Sequence, residues 1–143
     1  MPLGSKTRRV ALSALAFALA AGPTLAHHSY SMFDRTRTTS ISGTVLTWEM
    51  VNPHSFLWVI VKTDAGVQQT WGLEAGGVPA LMRAGIKKSA VQKGQKVSVE
   101  LHPLRDGRTG GQLVSVTFED GKVLKMGGGG EGAGPQPTAP PAK

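Results

Sequence analysis

Between Ser40 and Lys125 the apolar residues return mostly at every second position, in short runs cut off by glycine, proline and Asp-Gly turns. A period of two places alternate side chains on opposite faces of an extended chain, so these runs are strands with one face against a core. Ser40 to Met50 sets Ile41, Gly43, Val45 and Thr47 on one side and Leu46 and Trp48 on the other. Gly43 stands in the middle of that run, where a long strand serving two sheets has to bend. Asn52-Pro53 ends it, and Ser55 to Thr63, almost wholly β-branched or aromatic, reads as a central strand. Asp64-Ala65-Gly66 is a turn into a third strand, Val67 to Glu74.

A short helix is predicted next. Gly76-Gly77 and Pro79 open it, and Gly85 stops it after Leu81-Met82-Arg83-Ala84. Lys93-Gly94-Gln95 turns into the strand Lys96 to His102, and the turn-rich stretch Arg105 to Gly111 leads into the strand Gln112 to Glu119. Asp120-Gly121 then turns into Lys122 to Lys125. The order β-β-β-α-β-β predicts an all-β domain with one short helix, a small OB-like β-barrel of five to six strands. An open β-sandwich with an accessory helix competes with it. The barrel is preferred because closure hides the strand edges of so small a domain.

Both ends lie outside this pattern. Lys6, Arg8 and Arg9 precede an apolar stretch, Val10 to Ala21, then Gly22-Pro23 and the small residues of Thr24-Leu25-Ala26. That is the layout of a secretory signal peptide, residues 1–26, cut after Ala26; the apolar run is short for a retained anchor. From Gly127 to Lys143 the chain holds glycine, proline, alanine and polar residues only, the composition of a disordered tail. The barrel domain is thus expected over residues 27–126, in a periplasmic or secreted protein that is not integral to the membrane.

Cleavage would alter the charge. The whole chain carries 16 basic and 9 acidic residues, a net +7; without Lys6, Arg8 and Arg9 the 13 that remain give +4. So modest and scattered an excess, outside the cytoplasm, argues against nucleic acid as a partner. Cysteine is absent. This excludes disulfides, thiolate metal sites and a cysteine nucleophile, and leaves any metal to nitrogen, oxygen or thioether.

Several motifs occur together: AHHSYSMFD, GTVLTW, NPHS, WGLE, PLRDG and a late DGK. In combination they resemble a family of small exported bacterial proteins of unknown function, marked by His-His-Ser-Tyr/Phe directly after the signal peptide. The resemblance implies an exported single domain and supplies no activity.

Chemistry is therefore read from the four histidines, His27, His28, His54 and His102. A mature chain starting at His27 presents an α-amine and a ring nitrogen to one metal ion. A second imidazole would complete a T-shaped three-nitrogen site, a histidine-brace arrangement suited to Cu(II). His54 is a better partner than His28, because neighbouring side chains on an extended segment point apart. Met32 offers an axial sulfur, and Asp34 or Glu49 a carboxylate. Cleavage one residue earlier would give Ala26-His27-His28, a terminus that can also wrap Cu(II). The metal site expected is thus His27, His28 and His54, with copper as cofactor.

Simpler roles compete with this one. The His-His pair fits a solvated terminus, His54 a turn residue, His102 a structural contact, and Met32-Phe33 an apolar plug in the barrel mouth. The function expected is binding, carriage or sensing, with a metal ion, a small molecule or a periplasmic protein as partner. A second possibility is a metal-free module taking a small molecule, oligosaccharide or partner protein on an aromatic face, with Tyr30, Met32, Trp48 and Trp58 as contacts. A third is a copper-dependent oxidative enzyme. No catalytic residue is assigned: the carboxylates are dispersed, and no G-x-S-x-G elbow occurs.

Overall fold

The computed structural model describes residues 32–126 and Pro140. The expected signal peptide, the residues His27, His28 and Tyr30, and the glycine-rich tail apart from Pro140 lie outside the described residues. Among the described residues there are six strands: β1 (Thr39–Glu49), β2 (Ser55–Lys62), β3 (Gln68–Ala75), β4 (Lys96–Pro103), β5 (Gly110–Phe118) and β6 (Val123–Lys125). One helix, α1 (Val78–Arg83), and a single 3-10 turn, Lys88–Ala90, lie between β3 and β4.

Strand order in the sheet is β3-β2-β1-β4-β5-β6. All these neighbours pair antiparallel, and a parallel pairing of β3 with β5, Gly72–Glu74 against Gly110–Gln112, closes the first five strands into a barrel. β6 is an extra strand on β5. This is the OB-like order expected from the sequence.

The interior follows from alternation. Leu57 and Val59 of β2, Leu73 of β3, Val99 and Leu101 of β4 and Val116 of β5 are fully enclosed. Leu81, Ile86 and Val91 of the β3–β4 connection complete this core. Alternation fails once, in β1. The pairing of β1 with β2 shifts register between Val45 and Thr47, which makes Leu46 a bulge. The extra residue turns both Val45 and Trp48 inward, 1% and 8% exposed, where strict alternation had put them on opposite faces.

Helix α1 begins where Gly77 packs against the β1–β2 turn. Its first amide, Val78 N–H, donates to Asn52 Oδ1 at 2.9 Å, a cap supplied from 26 residues earlier. Gly85, at φ +76°, ends it. Asn52→Ala should leave that amide unpaired and lower stability by about 1 kcal/mol, the usual loss for a cap. Thermal unfolding of the variant measures it, and an unchanged midpoint would show that water replaces Asn52.

A strap precedes β1. Phe33 forms a β-bridge with Leu104. The Asp34 amide donates to the Pro103 carbonyl, and the Arg105 amide to the Met32 carbonyl, both at 2.8 Å. Phe33 is 1% exposed but stands outside the principal core cluster. It clasps the strap to the β4–β5 loop. Farther along, Nδ1 of His102 donates to the Arg37 carbonyl at 2.8 Å, the structural contact foreseen for this histidine.

Candidate functional site

Residues paired across a sheet share a face, so the register assembles the outer surface row by row. Glu49 of β1 pairs with Phe56 of β2, Phe56 with Glu74 of β3, Glu74 with Gln112 of β5, and Gln112 with His102 of β4. The flanking residues Leu57, Leu73 and Leu113 face the core, so this row lies on the outside.

His54 joins the row from the β1–β2 turn. Its Nδ1 lies 2.9 Å from Oε1 of Glu74, and the two side chains are 13% and 6% exposed. The turn holds the imidazole in place. Ser55 is completely buried; its hydroxyl donates to the Val51 carbonyl and accepts from the Val51 amide, both at 3.2 Å. Asn52 is tied to α1 as described. The enclosed carboxylate of Glu74 has its hydrogen-bonding partner in the imidazole, as a buried acid requires. Two further acceptors of the row, Oε1 of Glu49 and Oε1 of Gln112, are shut off from solvent and accept no hydrogen bond within the described residues.

Beside the row runs an apolar strip. Trp58, between the core residues Leu57 and Val59, points outward yet is 2% exposed. Its ring lies over Gly72, where a Cβ would stand 2.8 Å from it. Gly110, opposite Gly72, leaves room in the same way for Leu104, the bridge partner of Phe33. Phe56 and Trp58 are in ring contact, with centroids 6.3 Å apart. Of the aromatic contacts expected, Trp48 thus lies in the core and Trp58 in this enclosed strip. Met32 is partly buried in the strap.

Family comparison joins these elements. A model of a family of unknown function, DUF6152, matches residues 15–114. The chain belongs to that family. No curated protein and no solved structure matches it. The DUF6152 match ends within β5 and takes in the strap, the outer row and the His54–Glu74 pair.

Among the described residues of this DUF6152 chain, no group of three or more His, Asp or Glu side chains is placed to hold a metal ion. A metal centre at His54 therefore needs ligands from outside them. A surface cleft of about 430 Å³ lies elsewhere, over β1, β4 and β5, and is lined by Ser42, Ser98, Thr117, Lys96 and Glu119 among others. No described helix is long and apolar enough to cross a membrane. Of the three histidines predicted to bind the metal, only His54 falls within the described residues; Glu74 was not foreseen as its partner. Glu74 is buried next to a run of core residues, and only the register of β2 with β3 brings it to the histidine.

Asp34, in the strap, has its carboxyl held below the ordinary value. The Thr36 hydroxyl donates to it at 2.6 Å; burial opposes the shift, while the Thr36 amide and the Arg105 and Arg37 charges add to it. A proton-free Asp34 favours the turn that leads from the strap into β1.

Proposed function

We propose that the chain is an exported periplasmic binding protein that holds copper at the N-terminal end of its barrel, through His27, His28 and His54. One observation carries the reading: the stretch leading back to the two N-terminal histidines starts from a fixed point. Met32–Asp34 is stitched to Pro103–Arg105 by two backbone hydrogen bonds and the Phe33–Leu104 bridge. From Met32, the five residues back to His27 reach at most about 17 Å when extended. His54 supports the reading as a preset imidazole, and the absence of cysteine leaves nitrogen, oxygen and thioether donors, of which Cu(II) favours the nitrogens.

The test is Cu(II) titration of the exported, processed protein followed by electron paramagnetic resonance. One equivalent should bind with a tetragonal, nitrogen-rich signal. His54→Ala should weaken it by at least about tenfold, because removing a ligating imidazole costs no less than removing the group that orients one. A single glycine added before His27 should change the signal, because the amine then leaves the imidazole. Identical binding by the extended protein would remove the amine from the site.

A second reading, a metal-free site for a hydrogen-bond donor on the outer face, is favoured by the enclosed acceptors of Glu49, beside Phe56, and of Gln112, beside Glu74. A protein that ignores copper would direct attention there.

A further inference from the structure

The pairing of His54 with Glu74 has a direction. A carboxylate only accepts, so the imidazole nitrogen facing it, Nδ1, carries the proton. With that proton in place, the lone pair of the neutral ring lies on Nε2 alone. We infer that Glu74 is a positioning residue of the ligand site, and that it fixes His54 in the Nδ1–H form so that this histidine binds through Nε2. The inference rests on the copper reading above and adds to it the ligating atom and the residue that selects it.

Three features of the fold support the role. Glu74 is on the outer face of β3, in the enclosed part of the row, and its side chain is 6% exposed. A carboxylate so enclosed is costly unless it has a dedicated partner. Next, the backbone holds both residues in register. Ser55 pairs with Ala75, and the Ser55 amide donates to the Gly76 carbonyl, so His54 and Glu74 start from adjoining, tied strand ends. Lastly, the remaining histidine of the described residues shows the contrast. His102 also donates through Nδ1, but to a backbone carbonyl within the strap. A carbonyl orients a ring; a carboxylate orients it and also raises the basicity of the distal nitrogen, which strengthens a bond to a cation.

The experiment has two arms. In the metal-free protein, nitrogen-15 NMR of the histidine rings, assigned with His54→Ala, should show His54 protonated at Nδ1 and bare at Nε2 at pH 8. An Nε2–H form, or a ring protonated on both nitrogens at that pH, overturns the inference. In the second arm, Glu74→Gln keeps size and an acceptor oxygen while removing the charge. Its Cu(II) affinity should fall 10- to 100-fold, the range found when a carboxylate behind a ligating histidine is replaced. Its circular dichroism and its Phe56 and Trp58 ring signals should match the parent. Unaltered copper affinity in a folded Glu74→Gln overturns the positioning role. A parent protein with the Nδ1–H form that binds no copper overturns the copper reading instead, and upholds the assignment of the ring.

Discussion

Replacing Gly43 by alanine should lower the stability of the barrel by about 3 kcal/mol, the upper range for a methyl group forced into a filled interior. For a domain of this size that is a fall in melting temperature on the order of 15 °C. The cause is space. A Cβ at Gly43 would collide with the Ile60 carbonyl oxygen and come within 2.7 Å of Val59 Cγ1. Backbone on one side and an enclosed core side chain on the other leave no direction for relief. Gly43 is where β1 leaves one partner for the other: Thr44 pairs with both Ile60 of β2 and Lys96 of β4. A strand that must bend around the barrel brings its backbone against β2 there, and only a residue without a side chain fits. Gly66 supplies the comparison. It has φ +80° but only the end of Lys62 near a new Cβ, at 3.9 Å. Its alanine variant should lose only the 1–2 kcal/mol or so of a left-handed backbone. Paired melting curves decide the matter. A greater loss at Gly66 than at Gly43 would mean that turn conformation, and not close approach at the bend, limits this fold.

Gly43 also shows which parts of the fold the residues announce. Its place within an alternating run was enough to predict a bend, because a strand-interior glycine is costly unless something needs the room. The turns were equally plain: Gly66, Gly85, Gly94, Gly107 and Gly121 all take positive φ, with Gly94, Gly107 and Gly121 in Lys-Gly or Asp-Gly turns, Gly66 closing the Asp64-Ala65-Gly66 turn and Gly85 ending α1. Pro79 fell in the first turn of α1 as foreseen. What local pattern cannot carry is pairing between distant strands. The bulge at Leu46 depends on how β1 meets β2, and it turned Trp48 into the core. The enclosed place of Trp58 depends on its pairing with Gly72 across β2 and β3. Gly72 lies in a β-prone run with no turn to make, and that was the available signal: an unexplained strand glycine marks a spot where another side chain lies across the backbone. His54–Glu74 is the same kind of fact. The Asn-Pro-His turn identified the histidine; only the β2–β3 register identified the acid.

The strap is expected to respond to Phe33→Ala in a way the barrel does not. Truncating an enclosed phenylalanine ordinarily removes about 3–5 kcal/mol. Phe33 lies outside the principal core cluster, so the loss should fall on the strap itself and open it locally. The amides of Asp34 and Arg105, which hold the strap to Pro103 and Met32, should then exchange with solvent on the order of 100-fold faster, since each 1.4 kcal/mol is a factor of about ten. Amides of Val59 and Leu73, deep in the barrel, should keep their protection. If all of these amides lost protection together, strap and barrel would be one cooperative unit, and Phe33 a core residue in all but position. Local opening would have a functional consequence. The copper reading needs His27 and His28 to start from a fixed point near the β4–β5 loop, and that point is the Phe33–Leu104 bridge. Releasing it gives the histidines a larger volume to search, so Cu(II) affinity should fall although no ligand has been changed, while the His54–Glu74 pair keeps its hydrogen bond. Copper affinity that survives release of the strap would show that the N-terminal histidines bind without the barrel, and would leave His54 to some other ligand of the outer face.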